Sequence, residues 1–236
     1  MNTKPETQFY LILNCAEAVL QVVLGTPQGL LWSQGLNTPG RAMKHMARTI
    51  KAGLDFTGIR SKELSGISCV EGPGSFTGIR MAYAHVHGMS LPAEIPMSSI
   101  SYFEALIHGP GKLLQGPAWI FIHSRRGQVY AVNYSLPSLK PLSRPANINL
   151  GDIPDLAGSS RTRAAYAFGS GVRKNPDYFP ARHWNILPEI WDIPMPQSLL
   201  EIGLNSKFST SVSLPEYLRP SDAEENQNLI LSRLQA

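Results

Sequence analysis

Cysteine is scarce: Cys15 and Cys69 are the only two in 236 residues. That is too few for a disulfide framework and fits buried thiols in a reduced, cytoplasmic protein. No run of eighteen apolar residues occurs, and the opening "MNTKPETQ" has no apolar signal-peptide core. A membrane span, a secretory leader and a membrane partner are therefore not expected. Charge is sparse as well, at 16% against 43% hydrophobic residues, which excludes a disordered chain and leaves enough apolar material for a core. The 21 Lys and Arg exceed the 17 Asp and Glu for a net charge of +4. So mild an excess leans toward anionic partners without identifying one.

The length exceeds the usual single-domain size, so two modest lobes sharing a cleft are expected. "FYLILN" (9–14), "VLQVVLG" (19–25) and "LLWSQGL" (30–36) are β-rich runs separated by turn residues and predict a three-stranded meander. From Arg41 to Leu54, Met43, Met46, Ala47, Ile50 and Leu54 recur at helical spacing, while Arg41, Lys44, His45, Arg48 and Lys51 form a second, basic stripe. "LSGISCVEG" (64–72) reads as a buried strand. Ile79, Ala82, Tyr83, Val86 and Met89 then return to helical spacing over 77–90, with Ser75 or Thr77 placed to cap the first amides. "IPMSSI" (95–100) is a further short run. "AWIFIH" (118–123) and "QVYAVNY" (128–134) predict a hairpin, "AYAFGSGV" (165–172) a strand entering a glycine turn, and 197–208 a helix. No internal repeat of useful fidelity is visible. The pattern implies an α/β protein whose mixed sheets are flanked by helices.

The chemistry-bearing candidate is "EGPGSFTGIR" (71–80). It fails the P-loop spacing, because Gly72 and Gly78 are separated by five residues and Ile79 follows instead of Lys. It fails the dinucleotide fingerprint, because the sixth position from Gly72 is Thr77. A nucleophile elbow needs Gly two residues before Ser, where Pro73 stands. A glycine turn feeding a helix N-terminus still presents amides that can hold an anion, with Gly72, Gly74, Ser75, Thr77 and Gly78 as the candidates. A tight structural turn explains the same residues. Ser75 has no base nearby in sequence, and both cysteines lie in or beside core strands without the His and orienting group that a catalytic thiol requires.

"GPGSFTGIR", placed between strand and helix, resembles the signature of the bacterial TsaB family, also called YeaZ. The resemblance extends to "LSGISCV", "EIPMSSISYFEAL", "RRGQVYAVNY" (125–134), "YAFGSG" (166–171) and "PEYLRPS" (215–221). It implies the actin-like ATPase fold, two ribonuclease-H-like lobes, here 1–100 and 101–236. It also implies a non-catalytic role beside the TsaD transferase in forming threonylcarbamoyladenosine next to the tRNA anticodon, with a TsaE-like ATPase as a further partner and tRNA met indirectly.

Where the family carries Asp and small hydroxyls after the first strand, this chain has Asn14, Cys15, Ala16 and Glu17. Where it carries Asp and Glu in the hairpin, this chain has His123 and Gln128. Amide and imidazole are poor substitutes for carboxylate oxygen around magnesium. ATP or ADP is therefore expected only at a partner interface. The metal site of the catalytic relative uses two histidines four apart, and here Thr49 follows His45, Met89 follows His85 and Leu91 follows His87, so no metal is expected. The resemblance places the partner surface on 41–56 and 77–90, with Met43, Met46, Ala47, Ile50, Ala82, Tyr83, Val86 and Met89 as candidate contacts, or a homodimer through the same helices. The stripe of Arg41, Lys44, Arg48 and Lys51 meets solvent, partner or RNA. An independent nucleotide-dependent ATPase or kinase of the same fold is the alternative.

Overall fold

A computed structural model describes residues 7–157 and 164–211. The sequence piece "PEYLRPS" lies outside the described residues. Strands β1 (Phe9–Asn14), β2 (Val19–Thr26) and β3 (Gly29–Asn37) form the expected meander. Helix α1 (Ala42–Thr57) carries the chain to β4 (Leu64–Gly72), α2 (Phe76–Ser90) leaves it, and β5 (Met97–Ser101) completes a sheet of order β3-β2-β1-β4-β5. β1 is antiparallel to β2 and parallel to β4, with Leu13 opposite Val22 on one side and Cys69 on the other. Buried on both faces, β1 and β4 read as nearly continuous apolar runs.

Helix α1 ends in a left-handed Gly58 (φ 70°), and the Ile59 amide reaches back to the Leu54 carbonyl at 3.1 Å. This closing bond satisfies a helix-end carbonyl and stops the helix. Helix α2 begins on Ser75, whose hydroxyl accepts from the Gly78 amide at 3.2 Å. The predicted cap is therefore Ser75 and not Thr77.

Helix α3 (Tyr102–Gly111), which the periodicity did not reveal, leads into the second sheet. That sheet contains β6 (Gly116–Arg125), β7 (Gln128–Leu136), β8 (Lys140–Pro141), β9 (Ala146–Asn149), β10 (Ala165–Phe168) and β11 (Trp184–Ile186). Helices α4 (Ile153–Ala157) and α5 (Ser170–Lys174) stand before and after β10. The order is β11-β10-β6-β7-β8, with β6 antiparallel to β7 and parallel to β10. Apart from β9, which pairs with β7 beside β8, this repeats the first sheet: an antiparallel meander, then two parallel strands on its other side. The two sheets are duplicated in topology with no duplication visible in sequence.

Helix α6 (Pro196–Asn205) follows the second sheet in sequence but packs on the first. A Cβ on Gly25 would meet Leu200, and one on Gly203 would meet Ile12 and Ser68. Alternate residues of β6 face different cores: Ile120 and Ile122 join the large core shared with the first sheet and α3, while Phe121 joins a smaller aromatic one with Phe179 and Trp184. This is the two-residue period of a strand buried on both faces. Among the described residues no helix is long and apolar enough to cross a membrane.

Candidate functional site

The C-terminal ends of β1 and β6 face each other across a cleft of about 550 Å³, lined by Asn14, Glu17, Gly74, Ser75, Tyr102, His123, Ser170, Lys174 and Asp192, among others. Each lobe presents a glycine turn to it. In the first, a Cβ on Gly74 would lie 2.0 Å from the Ala16 carbonyl oxygen, and one on Gly78 would lie 2.3 Å from that of Cys15. In the second, Gly169 (φ 107°) and Gly171 press on the Phe121 carbonyl, with Cβ positions 2.4 and 2.8 Å from its oxygen. Both turns therefore use glycine for the same purpose, close approach of backbone to the lobe's first strand.

The first turn closes on itself. The Ser75 amide donates to the Ala16 carbonyl at 2.6 Å, the Gly78 amide to the Ser75 hydroxyl, and the Ile79 amide to the Ser75 carbonyl at 2.9 Å. Of the residues named from sequence as an anion cradle, Gly74 and Ser75 line the cleft. Gly72 and Gly78 are buried and Thr77 is exposed.

Asn14 stands opposite Gln21 on β2. Its amide nitrogen donates to Gln21 Oε1 at 2.8 Å, and its Oδ1 accepts from the Ala16 amide at 3.0 Å. The backbone N–H can only meet an acceptor, which fixes the orientation of the amide. Gln21 in turn donates to the Pro194 carbonyl at 2.8 Å. The Asn14 side chain is engaged at both ends within the protein.

Three carboxylates line the cleft, Glu17, Glu189 and Asp192, and the first and last are hydrogen-bonded to neighbouring elements. Glu17, in the β1–β2 turn, accepts from Tyr102 Oη at 3.0 Å and, through its other oxygen, from the Ser170 hydroxyl. Burial pushes its carboxyl above the usual range, opposed by the two hydroxyl bonds and by Lys174. Asp192 accepts from the Gly169 amide at 2.7 Å and from Arg173 Nε at 2.6 Å. Burial raises its pKa too, while Arg173 and the Gly169 amide pull the other way. Neither Glu17 nor Asp192 stands out in the sequence as a site group, because Asp192 is far from the motif and Glu17 marks only a departure from it.

His123 donates its backbone N–H to Ser170 Oγ at 2.9 Å, and burial with Lys174 nearby holds its imidazole below its ordinary pKa. Gln128 lies outside the cleft, in a network with Arg125, Asn147 and Asn149. Burial pushes the Cys15 thiol up to about 11 and raises Cys69 well above its ordinary value, so both are un-ionised core groups. Among the described residues, no three or more His, Cys, Asp or Glu side chains come together as metal ligands.

On the outer helices, Met46, Ile50, Ala82, Tyr83 and Val86 are buried against their own sheet, so these five candidate contacts belong to the lobe's interior. Tyr83 is held there by a 2.6 Å bond between its hydroxyl and that of Ser99. Met43 and Ala47 are exposed, and Met89 is half-buried. The exposed face of α2 runs through Thr77, Arg80, Ala84 and Gly88, and Phe56 at the end of α1 is 75% exposed. In the basic stripe Lys51 pairs with Asp55 at 2.6 Å, while Arg41, Lys44 and Arg48 form no ion pair among the described residues.

A family model described as "TsaD: tRNA N6-adenosine threonylcarbamoyltransferase" matches residues 41–159, about half of the chain. The tRNA threonylcarbamoyladenosine biosynthesis protein TsaB of Buchnera aphidicola is 33% identical over 92 residues, covering 39% of this chain and 42% of that protein. The protein of the same name from Bacillus subtilis is 31% identical over 93 residues, covering 39% and 40%. The match thus spans about two-fifths of the length of these curated relatives. Among solved structures, YeaZ from Pseudomonas aeruginosa is similar in fold, with a TM-score of 0.72 at 20% identity over 89% of this chain and 100% of that one.

Proposed function

The chain belongs to the family whose model is described as TsaD: tRNA N6-adenosine threonylcarbamoyltransferase, and from that premise we propose that it is of the TsaB (YeaZ) kind, a non-catalytic subunit which binds and activates a TsaD-like transferase as it forms N6-threonylcarbamoyladenosine beside the tRNA anticodon. The observation that carries the non-catalytic part is Asn14. It stands where the family places a carboxylate, and both ends of its amide are engaged, by Gln21 and by the Ala16 amide. Glu17 and Asp192 are likewise held by neighbouring donors. These residues are a poor fit to a magnesium-bound nucleotide, because magnesium asks for unengaged oxygen ligands in near-octahedral array. ATP or ADP belongs at the interface with the partner in this reading, and a TsaE-like ATPase and tRNA join through the complex.

The partner surface is the exposed part of α1 and α2. Met43 supplies apolar contact, and Ala47, Ala84 and Gly88 allow close helix approach. A homodimer through the same face competes with the transferase. The test is co-purification with the cognate TsaD-like protein. Met43→Asp and Ala84→Arg are expected to weaken association tenfold or more, about 1.4 kcal/mol, with circular dichroism unchanged. Undiminished association of both variants overturns the assignment of the face. A nucleotide-dependent enzyme is the second reading, favoured by two glycine turns and Lys174 around one cleft. Calorimetry with magnesium and ATP separates the two, since tight binding with turnover by the isolated chain supports the second and rejects the first.

A further inference from the structure

The Glu17 side chain bridges the cleft. Glu17 belongs to the β1–β2 turn of the first lobe, and each of its oxygens takes a hydroxyl from a different element: Tyr102 at the start of α3, and Ser170 at the start of α5 in the second lobe. Ser170 is itself fixed, because its Oγ accepts from the His123 amide at 2.9 Å at the end of β6. Tyr102 is 2% exposed, so its hydroxyl has no ready exchange with bulk water. A continuous chain of hydrogen bonds therefore runs from His123 through Ser170 and Glu17 to Tyr102.

We propose that Glu17 is a positioning residue that latches the two lobes together at the cleft, holding the β1–β2 turn against the second glycine turn. Any occupant of this part of the cleft has to displace it. The inference does not depend on the partner assignment, since it concerns contacts within this chain alone. A second tie, from Gln21 to the Pro194 carbonyl, joins β2 to the segment before α6. Release of Glu17 is therefore expected to open one end of the cleft and leave the lobes joined. Hydrogen bonds to a charged group are stronger than neutral ones, and a carboxylate that accepts two hydroxyls loses both bonds when truncated.

The test is hydrogen exchange on the full chain, followed peptide by peptide. Glu17→Ala is expected to speed exchange at least tenfold in peptides covering 14–18 and 169–174 and at the His123 amide, with the amides of β4 and α1 unchanged. Ser170→Ala removes the same bond from the other lobe and is expected to loosen the same peptides, which keeps the test available if Glu17→Ala does not fold. Glu17→Gln, which retains an acceptor and adds a donor, is expected to restore protection to within threefold of the parent. Unchanged exchange in both segments overturns the latch. A uniform rise throughout the chain overturns it equally, because that is the signature of general destabilisation.

Discussion

In the first lobe the helix before β4 has sixteen residues and the helix after it fifteen, while in the second lobe the helix after β10 has five and the one before it has five described residues. The strand order and the glycine turns are nevertheless the same in both. The shared parts are those that build the cleft, where backbone must approach backbone. The parts that differ are those that cover the sheets and face outward. The second lobe replaces long helices with aromatic packing, Phe121 lying 4.8 Å from Phe179 and 5.6 Å from Trp184 between ring centroids. Among the described residues only the first lobe has helices of fifteen or sixteen residues with an exposed face, and that asymmetry supports the proposal that a partner binds there.

The largest effect is expected within α2. Ala82 is fully buried and Ala84, two residues on, is exposed. Ala82→Arg places an unpaired charge in the core and is expected to cost about 4 kcal/mol or more, leaving no folded protein by near-ultraviolet circular dichroism, whereas Ala84→Arg folds normally. Equal tolerance of both would mean that α2 does not pack as described.

Next come the paired turns. Gly74→Ala and Gly169→Ala each drive a methyl into a backbone carbonyl, and each is expected to lower stability by about 2–4 kcal/mol in urea unfolding. Gly88→Ala, with open space around it, is expected to be neutral or to stabilise by up to about 1 kcal/mol. If one turn tolerates the methyl and the other does not, the equivalence of the lobes fails at the cleft.

The smallest effect concerns Glu17. A carboxyl whose folded pKa lies above its ordinary 4.5 contributes stability that is present below that value and lost as pH rises through the folded pKa. Glu17→Gln does not ionise. It is expected to match the parent near pH 4 and to gain a few degrees in Tm over it at pH 8. A constant difference across that range would show that Glu17 does not titrate above its usual range in the fold.

The first lobe was legible because its elements are long and bounded by turn residues: β1 and β4 match their apolar runs residue for residue, and α1 and α2 fall within three residues of their amphipathic stretches. A five-residue helix such as α5 spans little more than one turn and leaves no period to detect. Helix α3 hid because its apolar residues cover nearly the whole surface, with Tyr102, Phe103, Ala105, Leu106 and Ile107 all buried. The duplicated topology lies in strand pairing, which no local pattern records. Helical stripes found Met46 and Ile50 correctly as one face of α1, yet periodicity alone does not say whether such a face meets its own sheet or a partner. Glu17 and Asp192 became visible as site groups only when residues 153 apart, Glu17 and Ser170, were brought together.

The most direct measurement is formation of N6-threonylcarbamoyladenosine on tRNA by the cognate TsaD-like protein and its accessory factors, with and without this chain. Modification is expected only when the chain is present, reduced tenfold or more by Ala84→Arg on the outer face of α2. Equal modification in its absence would contradict the activating role.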